Sequence, residues 1–145
     1  MSKKYNQELK RQIILNHYEE PENKIGDEDN LPTYFSCTID SASCIDHLTA
    51  FVKIEKNKII DIKFKGVGCV IATSSTDIMA NILKNKTVTW ANKFIDSYFN
   101  MVDGLKYDES ILEDLNVFDG VNKQFSRIKC AKIGIEAIKK VINKN

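Results

Sequence analysis

"LTAFVKIEKNKIIDIKF", residues 48–64, decides how the chain is read. Apolar residues recur at every second position through Leu48, Ala50, Val52 and Ile54, and again through Ile60, Ile62 and Phe64 after the turn-like "EKNK". A period of two sets alternate side chains on one face of a strand, so the stretch predicts a β-hairpin with one buried face. Just before it, "TYFSCTI" (33–39) predicts a third strand, with weaker alternation. A small antiparallel sheet therefore occupies the first half of the chain.

Helical periods surround it. On the N-terminal side, "YNQELKRQIILNHYEE" (5–20) carries Tyr5, Leu9, Ile13 and His17 at steps of four, an amphipathic helix that Pro21 stops. The polar "EEPENKIGDEDNLP" (19–32) holds both prolines and reads as a loop. Beyond the hairpin, Gly66 and Gly68 predict a tight turn, followed by a helix through Ala72, Ile78, Met79, Ile82 and Leu83 with Cys69 at its N-terminal end. A second helix starts at Thr87 as N-cap, buries Ala91, Phe94, Ile95, Tyr98 and Val102, and stops at Gly104. "SILEDL" (110–115) predicts a short helical piece. "RIKCAKIGIEAIKKVINKN" (127–145) predicts a last amphipathic helix, with Ile128, Ala131, Ile135, Ile138 and Ile142 on one side and Cys130 in its first turn. The element order gives an α+β class: a three-stranded antiparallel sheet packed against helices. With 145 residues, one domain spanning 1–145 is expected.

Composition narrows the function. With 21 basic and 20 acidic side chains the net charge is +1, which offers no electrostatic footprint for nucleic acid or an anionic membrane. No apolar run approaches the roughly 20 residues of a bilayer span, and "MSKKYNQELK" has no signal-peptide core. A cytoplasmic protein is expected, and the polar helix exteriors suggest a monomer. Its four cysteines, Cys37, Cys44, Cys69 and Cys130, are then thiols or thiolates rather than disulfides, and no pair has CxxC spacing.

Each cysteine alone could be a packed core thiol. Placement argues for more. Cys69 and Cys130 both fall at expected helix N-termini, where unsatisfied N–H groups and the helix dipole favour a thiolate, and Cys130 lies among Arg127, Lys129 and Lys132. In "ASCIDHL" (42–48), Cys44 and Asp46 are two positions apart and lead into a strand, so both would project to one side. Together the four would make a Cys3Asp set of the kind that suits tetrahedral zinc. His47 would face away from that pair if the strand begins early, and could join it if the strand begins late.

The whole arrangement resembles a family: "HYEEPEN" closing the first helix, a Cys-x-Asp before the hairpin, "KGVGCVIATSSTDIM", and "RIKC" opening the last helix. It is similar to the U-type iron–sulfur assembly proteins, which include IscU and the N-terminal part of NifU, and most similar to the SufU branch. The likeness runs from about Tyr5 to Val141, and the long segment around 103–123 is a SufU feature. The resemblance implies that Cys44, Asp46, Cys69 and Cys130 bind one zinc ion, and that Cys44 accepts persulfide sulfur from a SufS-type cysteine desulfurase. It implies docking on that desulfurase through Arg127, and downstream iron–sulfur assembly proteins as recipients. As an enzyme the chain would be a sulfurtransferase only in the sense of a sulfur carrier. Two other functions fit the same residues: a scaffold holding a nascent iron–sulfur cluster, and a zinc-stabilised interaction domain without sulfur chemistry. Lys129 stands where IscU has a histidine, and an ammonium has no lone pair to donate, which favours sulfur transfer. The family's Cys-Gly-Asp is Cys44-Ile45-Asp46 here, and Cys37 is outside the family pattern.

Overall fold

The computed structural model describes residues 5–40 and 46–144. Helix α1 (Gln7–Glu19) begins where the Asn6 side chain accepts from the Leu9 N–H at 2.8 Å, and it ends before Pro21, which has no N–H to continue it. Strands β1 (Phe35–Asp40), β2 (His47–Glu55) and β3 (Lys58–Val67) form one antiparallel sheet in the order β1-β2-β3. Helices α2 (Val70–Leu83), α3 (Val88–Val102) and α4 (Phe125–Lys144) follow, with two 3-10 turns, Glu113–Phe118 and Val121–Lys123, between α3 and α4. The expected class and sheet are therefore present.

The hairpin turn places Lys56 and Asn57 at φ 52° and 64°, the left-handed pair that a two-residue turn between twisted strands requires. One detail of the expected face is wrong. Alternation marks Ile60 as inward, yet the register runs Lys53↔Asp61 and then Ile54↔Ile59, so Ile60 is an extra residue in β3. The bulge shifts the pleat by one, leaving Ile59 fully buried and Ile60 37% exposed. The expected turn at Gly66 is also absent. Gly66 belongs to β3 at φ 118°, and a Cβ there would lie 2.0 Å from the His47 carbonyl oxygen, so glycine permits the close pairing of β2 and β3 beside the site.

The core lies between the inner face of the sheet and the helices: Val52, Ile59 and Ile62 meet Met79 and Leu83 of α2, Phe94 and Tyr98 of α3, and Ile135 and Ile138 of α4. Thr87 caps α3 through Oγ1, as its position predicted, and the buried face of α3 is the expected one. The 103–123 segment forms its helical turn three residues later than "SILEDL" suggested, and in the 3-10 form. Leu112, Leu115, Val117 and Phe118 all enter the core there, so burial rather than propensity sets its position.

Helix α2 is central and is buried through five consecutive polar residues, Thr73 to Asp77. Their hydroxyls are satisfied within the helix and its cap: Thr73 donates to the Gly68 carbonyl, Ser74 to that of Val70, and Ser75 and Thr76 to that of Ala72. Short side chains let α4 come close. A Cβ on Gly134 would stand 1.8 Å from Thr76 Oγ1, so Gly134→Ala should lower stability by about 3 kcal/mol through overpacking, read from the urea midpoint.

Candidate metal centre

The start of β2 and the end of β3 build the first half of the centre. His47 pairs with Val67, so the next positions outward bring Asp46 beside Gly68 and Cys69. The Cys69 N–H donates to Asp46 Oδ1 at 3.1 Å, which fixes the carboxylate against the entry to α2. Cys69 is the N-cap of α2, and its Sγ accepts from the Ala72 N–H at 3.4 Å. That contact sets the sulfur at the N-terminal end of α2, the place its sequence position implied.

Helix α4 brings the third group. Cys130, Leu48, Phe64, Ala72 and Ile133 share a small apolar cluster under the site, which holds α4 against the sheet and α2. One ligand atom each from Asp46, Cys69 and Cys130 lie within 4.8 Å of one another. Cys130 differs from its sequence reading. Because α4 begins at Phe125, two residues earlier than expected, Cys130 falls beyond the first turn, and its Sγ faces the Ser126 carbonyl at 3.8 Å. The dipole does not help this thiol. Burial, then the neighbouring Cys69 and Asp46, push it up to about 12.

That environment suits a cation. Asp46 is 4% exposed and its Oδ2 is buried without a hydrogen-bond partner among the described residues, an arrangement costly for a carboxylate unless a positive charge faces it. Two sulfurs and a carboxylate oxygen are donors of the zinc type, and three protein ligands fall one short of the tetrahedral four. Cys44, the expected fourth, lies outside the described residues.

The other sequence candidates are placed as follows. Arg127 is exposed in the first turn of α4. His47 opens β2, is exposed, and hydrogen-bonds through Nδ1 to Asp40 across the β1–β2 pair, away from Asp46. The strand begins early, and among the described residues His47 is not in the metal-type group. Cys37 sits opposite Ala50 in β1 and packs half-buried against the core.

Sequence reading missed one cluster. His17, Glu22 and Asp77 also converge, with His17 Nδ1 2.6 Å from Asp77 Oδ2. The carboxylate of Asp77 further accepts from the N–H groups of Glu22 and Asn23 and from the Asn23 amide, and the Asn81 amide donates to Glu22. With its acceptors occupied, this cluster pins α1 and the following loop to α2. The only signal in the sequence was an aspartate amid the small residues of a buried helix.

A three-stranded sheet backed by helices, with a carboxylate and two thiols gathered where β2, α2 and α4 meet, defines a small domain built around a cysteine–aspartate centre. The chain belongs to the NifU-like N-terminal domain family, whose match covers residues 9–144. It is 32% identical over 137 residues to the zinc-dependent sulfurtransferase SufU of Bacillus subtilis, covering 94% of this chain and 90% of that protein. It is 28% identical over 102 residues to the iron–sulfur cluster assembly scaffold protein IscU of Thermotoga maritima, covering 70% and 72%. Among solved structures, a candidate iron–sulfur cluster assembly scaffold protein for the SUF system from Fervidobacterium islandicum superposes with a TM-score of 0.80 at 25% identity, over 90% of this chain and 94% of that one. No helix among the described residues is long and apolar enough to cross a membrane.

Proposed function

We propose that the protein is a sulfur acceptor in iron–sulfur cluster assembly, holding zinc through Cys44, Asp46, Cys69 and Cys130 and receiving sulfur from a SufS-type cysteine desulfurase. The observation that carries this reading is the buried Asp46 Oδ2, without a hydrogen-bond partner among the described residues, beside two thiols, in a chain similar over nearly its whole length to a zinc-dependent sulfurtransferase. Zinc at this centre would supply thiolate character to the cysteines it binds at neutral pH.

The rest of the chemistry belongs to the chain. The Cys44 thiolate attacks the terminal sulfur of the donor's cysteine persulfide: a sulfur–sulfur bond forms on Cys44, the donor's own sulfur–sulfur bond breaks, and the donor cysteine leaves as thiolate. The exchange moves one sulfur and needs no outside oxidant or reductant. Asp46 is held by the Cys69 N–H, so it keeps its place while Cys44 changes partner. Arg127, exposed near Cys130, serves docking. The protein works in the cytoplasm as a single domain and a monomer, passing sulfur to downstream iron–sulfur assembly proteins.

The test is metal and acid-labile sulfide analysis of protein purified without oxygen, followed by mass spectrometry after incubation with the desulfurase and cysteine. About one zinc per chain with no sulfide, and one added sulfur on Cys44 that Cys44→Ala abolishes and Cys37→Ala spares, is the expected result. Iron and sulfide in equal amounts would replace this reading with the cluster scaffold, the function named for the Thermotoga IscU. Zinc with no sulfur uptake would leave an interaction domain.

A further inference from the structure

Helix α4 carries six basic residues and one acidic, in a chain whose overall charge is +1. The near-balance of the whole chain conceals a basic helix whose compensating acids lie elsewhere. Helices α3 and α4 run antiparallel, joined along their outer side by Asn92 to Asn143, Asp96 to Lys139 and Asp103 to Lys132. Along these contacts opens a groove of about 660 Å³, in which Phe99 is the one apolar residue of the lining. The ammonium groups of Lys132 and Lys139 lie 5.2 and 5.6 Å from the centre of the Phe99 ring, so ring and lysine stems together make an apolar floor. Lys140 and Lys144 line the same groove.

The fold accounts for part of this charge. Lys132 and Lys139 answer Asp103 and Asp96, and Lys144 in the last turn meets the negative end of the helix dipole. Lys140 and Lys144 are nevertheless like charges one turn apart, both exposed, with no ion-pair partner among the described residues, a spacing that opposes helix formation. Surplus positive charge therefore stands beside an apolar floor. From Lys132 to Lys144 the groove follows α4 for about 18 Å, a little over three turns, which is the length of a short helix laid along it. Glu136 lies midway in the lining. A carboxylate there repels a continuous phosphate backbone or a layer of lipid phosphates, whereas a peptide sets an uncharged side chain opposite it and carboxylates opposite the lysines.

We infer that the α3–α4 groove binds an acidic amphipathic helix of a partner protein, its apolar side on Phe99 and its carboxylates on Lys140 and Lys144. Lys139 stands nine residues beyond Cys130, about two and a half turns, and so leaves α4 on the opposite side from that thiol. The occupant engages a face of α4 turned away from the metal centre. It leaves the thiols open, and its binding does not depend on the chemistry they perform.

The experiment titrates the full-length protein into a fluorescein-labelled, end-blocked synthetic helix with leucines on one side and glutamates on the other, at low salt, and follows fluorescence anisotropy. Backbone amide NMR shifts locate the site. Binding should saturate, move the amides of α3 and of the second half of α4, and weaken about tenfold or more when Lys140→Glu and Lys144→Glu are combined. Combining Lys140→Gln with Lys144→Gln should give a smaller loss in the same direction, and both double variants should melt with wild type. The same peptide with glutamines in place of its glutamates should not bind. No saturable binding below about 1 mM, or affinities of wild type and the glutamate double variant within about twofold, overturns the inference. Shifts centred on Cys69 and Cys130 overturn it by moving the contact to the metal centre. A DNA duplex or phosphatidylglycerol vesicles bound more tightly than the peptide overturn it in favour of a nucleic acid or a membrane. A lowered melting temperature in both double variants overturns it by giving the lysines a structural role.

Discussion

Cys69→Ala is expected to leave the purified protein without zinc and to abolish sulfur loading of Cys44. Cys69 has two tasks at one point, since its sulfur faces Asp46 and Cys130 and also caps α2 through the Ala72 N–H. Removing one of the four proposed ligands should cost more than the 10- to 100-fold typical of residues that only support ligands, so zinc affinity should fall by more than about 100-fold. Loss of the cap adds about 1 kcal/mol of instability. Cys69→Ser separates the two, because a hydroxyl retains the cap and is a poor zinc ligand at neutral pH. Elemental analysis should therefore find no zinc in either variant, while the thermal melt of the serine protein lies above that of the alanine protein. Zinc retained in both would remove Cys69 from the centre. Cys37→Ala, by contrast, should keep its metal, since Cys37 lies in β1 and packs on the core.

Asp77→Ala is expected to be the most destabilising substitution outside the centre. Asp77 is fully buried and accepts from His17, from two backbone N–H groups and from the Asn23 amide. Truncation strands all these donors and leaves a cavity, a loss of about 3–5 kcal/mol against a total of about 5–15 for an ordinary domain. The melting temperature should fall by roughly 10 °C or more. No residue of α1 is fully buried, and the helix is otherwise held at its start by Tyr5 to Asp114 and by Lys10 to Asp119. Its C-terminal half should therefore exchange amide hydrogens faster in the variant.

The same pair makes stability depend on pH in a defined direction. Burial acts to raise the Asp77 pKa, but the His17 contact and the N–H donors outweigh it and hold the carboxyl below its usual range. The Asp77 hydrogen bond raises His17, against the opposing effect of burial, and Glu22 and Asp114 add to the rise. A depressed carboxyl contributes above about pH 4 and is lost as pH falls through its folded value, whereas a raised imidazole contributes fully below about pH 6.5 and is lost as pH climbs through its own. The stability difference between wild type and His17→Gln should be largest between these limits and shrink as the medium becomes alkaline. A difference that grows with pH would mean that His17 is neutral in the folded protein.

Much of this architecture was legible from short-range pattern. Alternation placed β2 and β3, Thr87 and Gly104 bounded α3, and the α4 stripe is buried at Ala131, Ile135, Ile138 and Ile142 and half-buried at Ile128. Misreadings arose where a local signal met a distant one. Ile60 has the pattern of an inward residue, but pairing with β2 introduces a bulge there; Cys130 has the look of a first-turn residue, but α4 reaches back to Phe125.

The sequence by itself determined the elements and, through "KGVGCVIATSSTDIM" and "RIKC", the family and the proposed ligands, because motifs and periods are properties of neighbours along the chain. Only the tertiary structure decided that Asp46 would be buried, that Cys69 and Cys130 would meet beside it, and that Asp77 would bind His17 from sixty positions away. Strand register and the close crossing of α2 and α4 at Thr76 and Gly134 set those meetings. Both arise from packing many residues at once, and no single stretch of the chain encodes them.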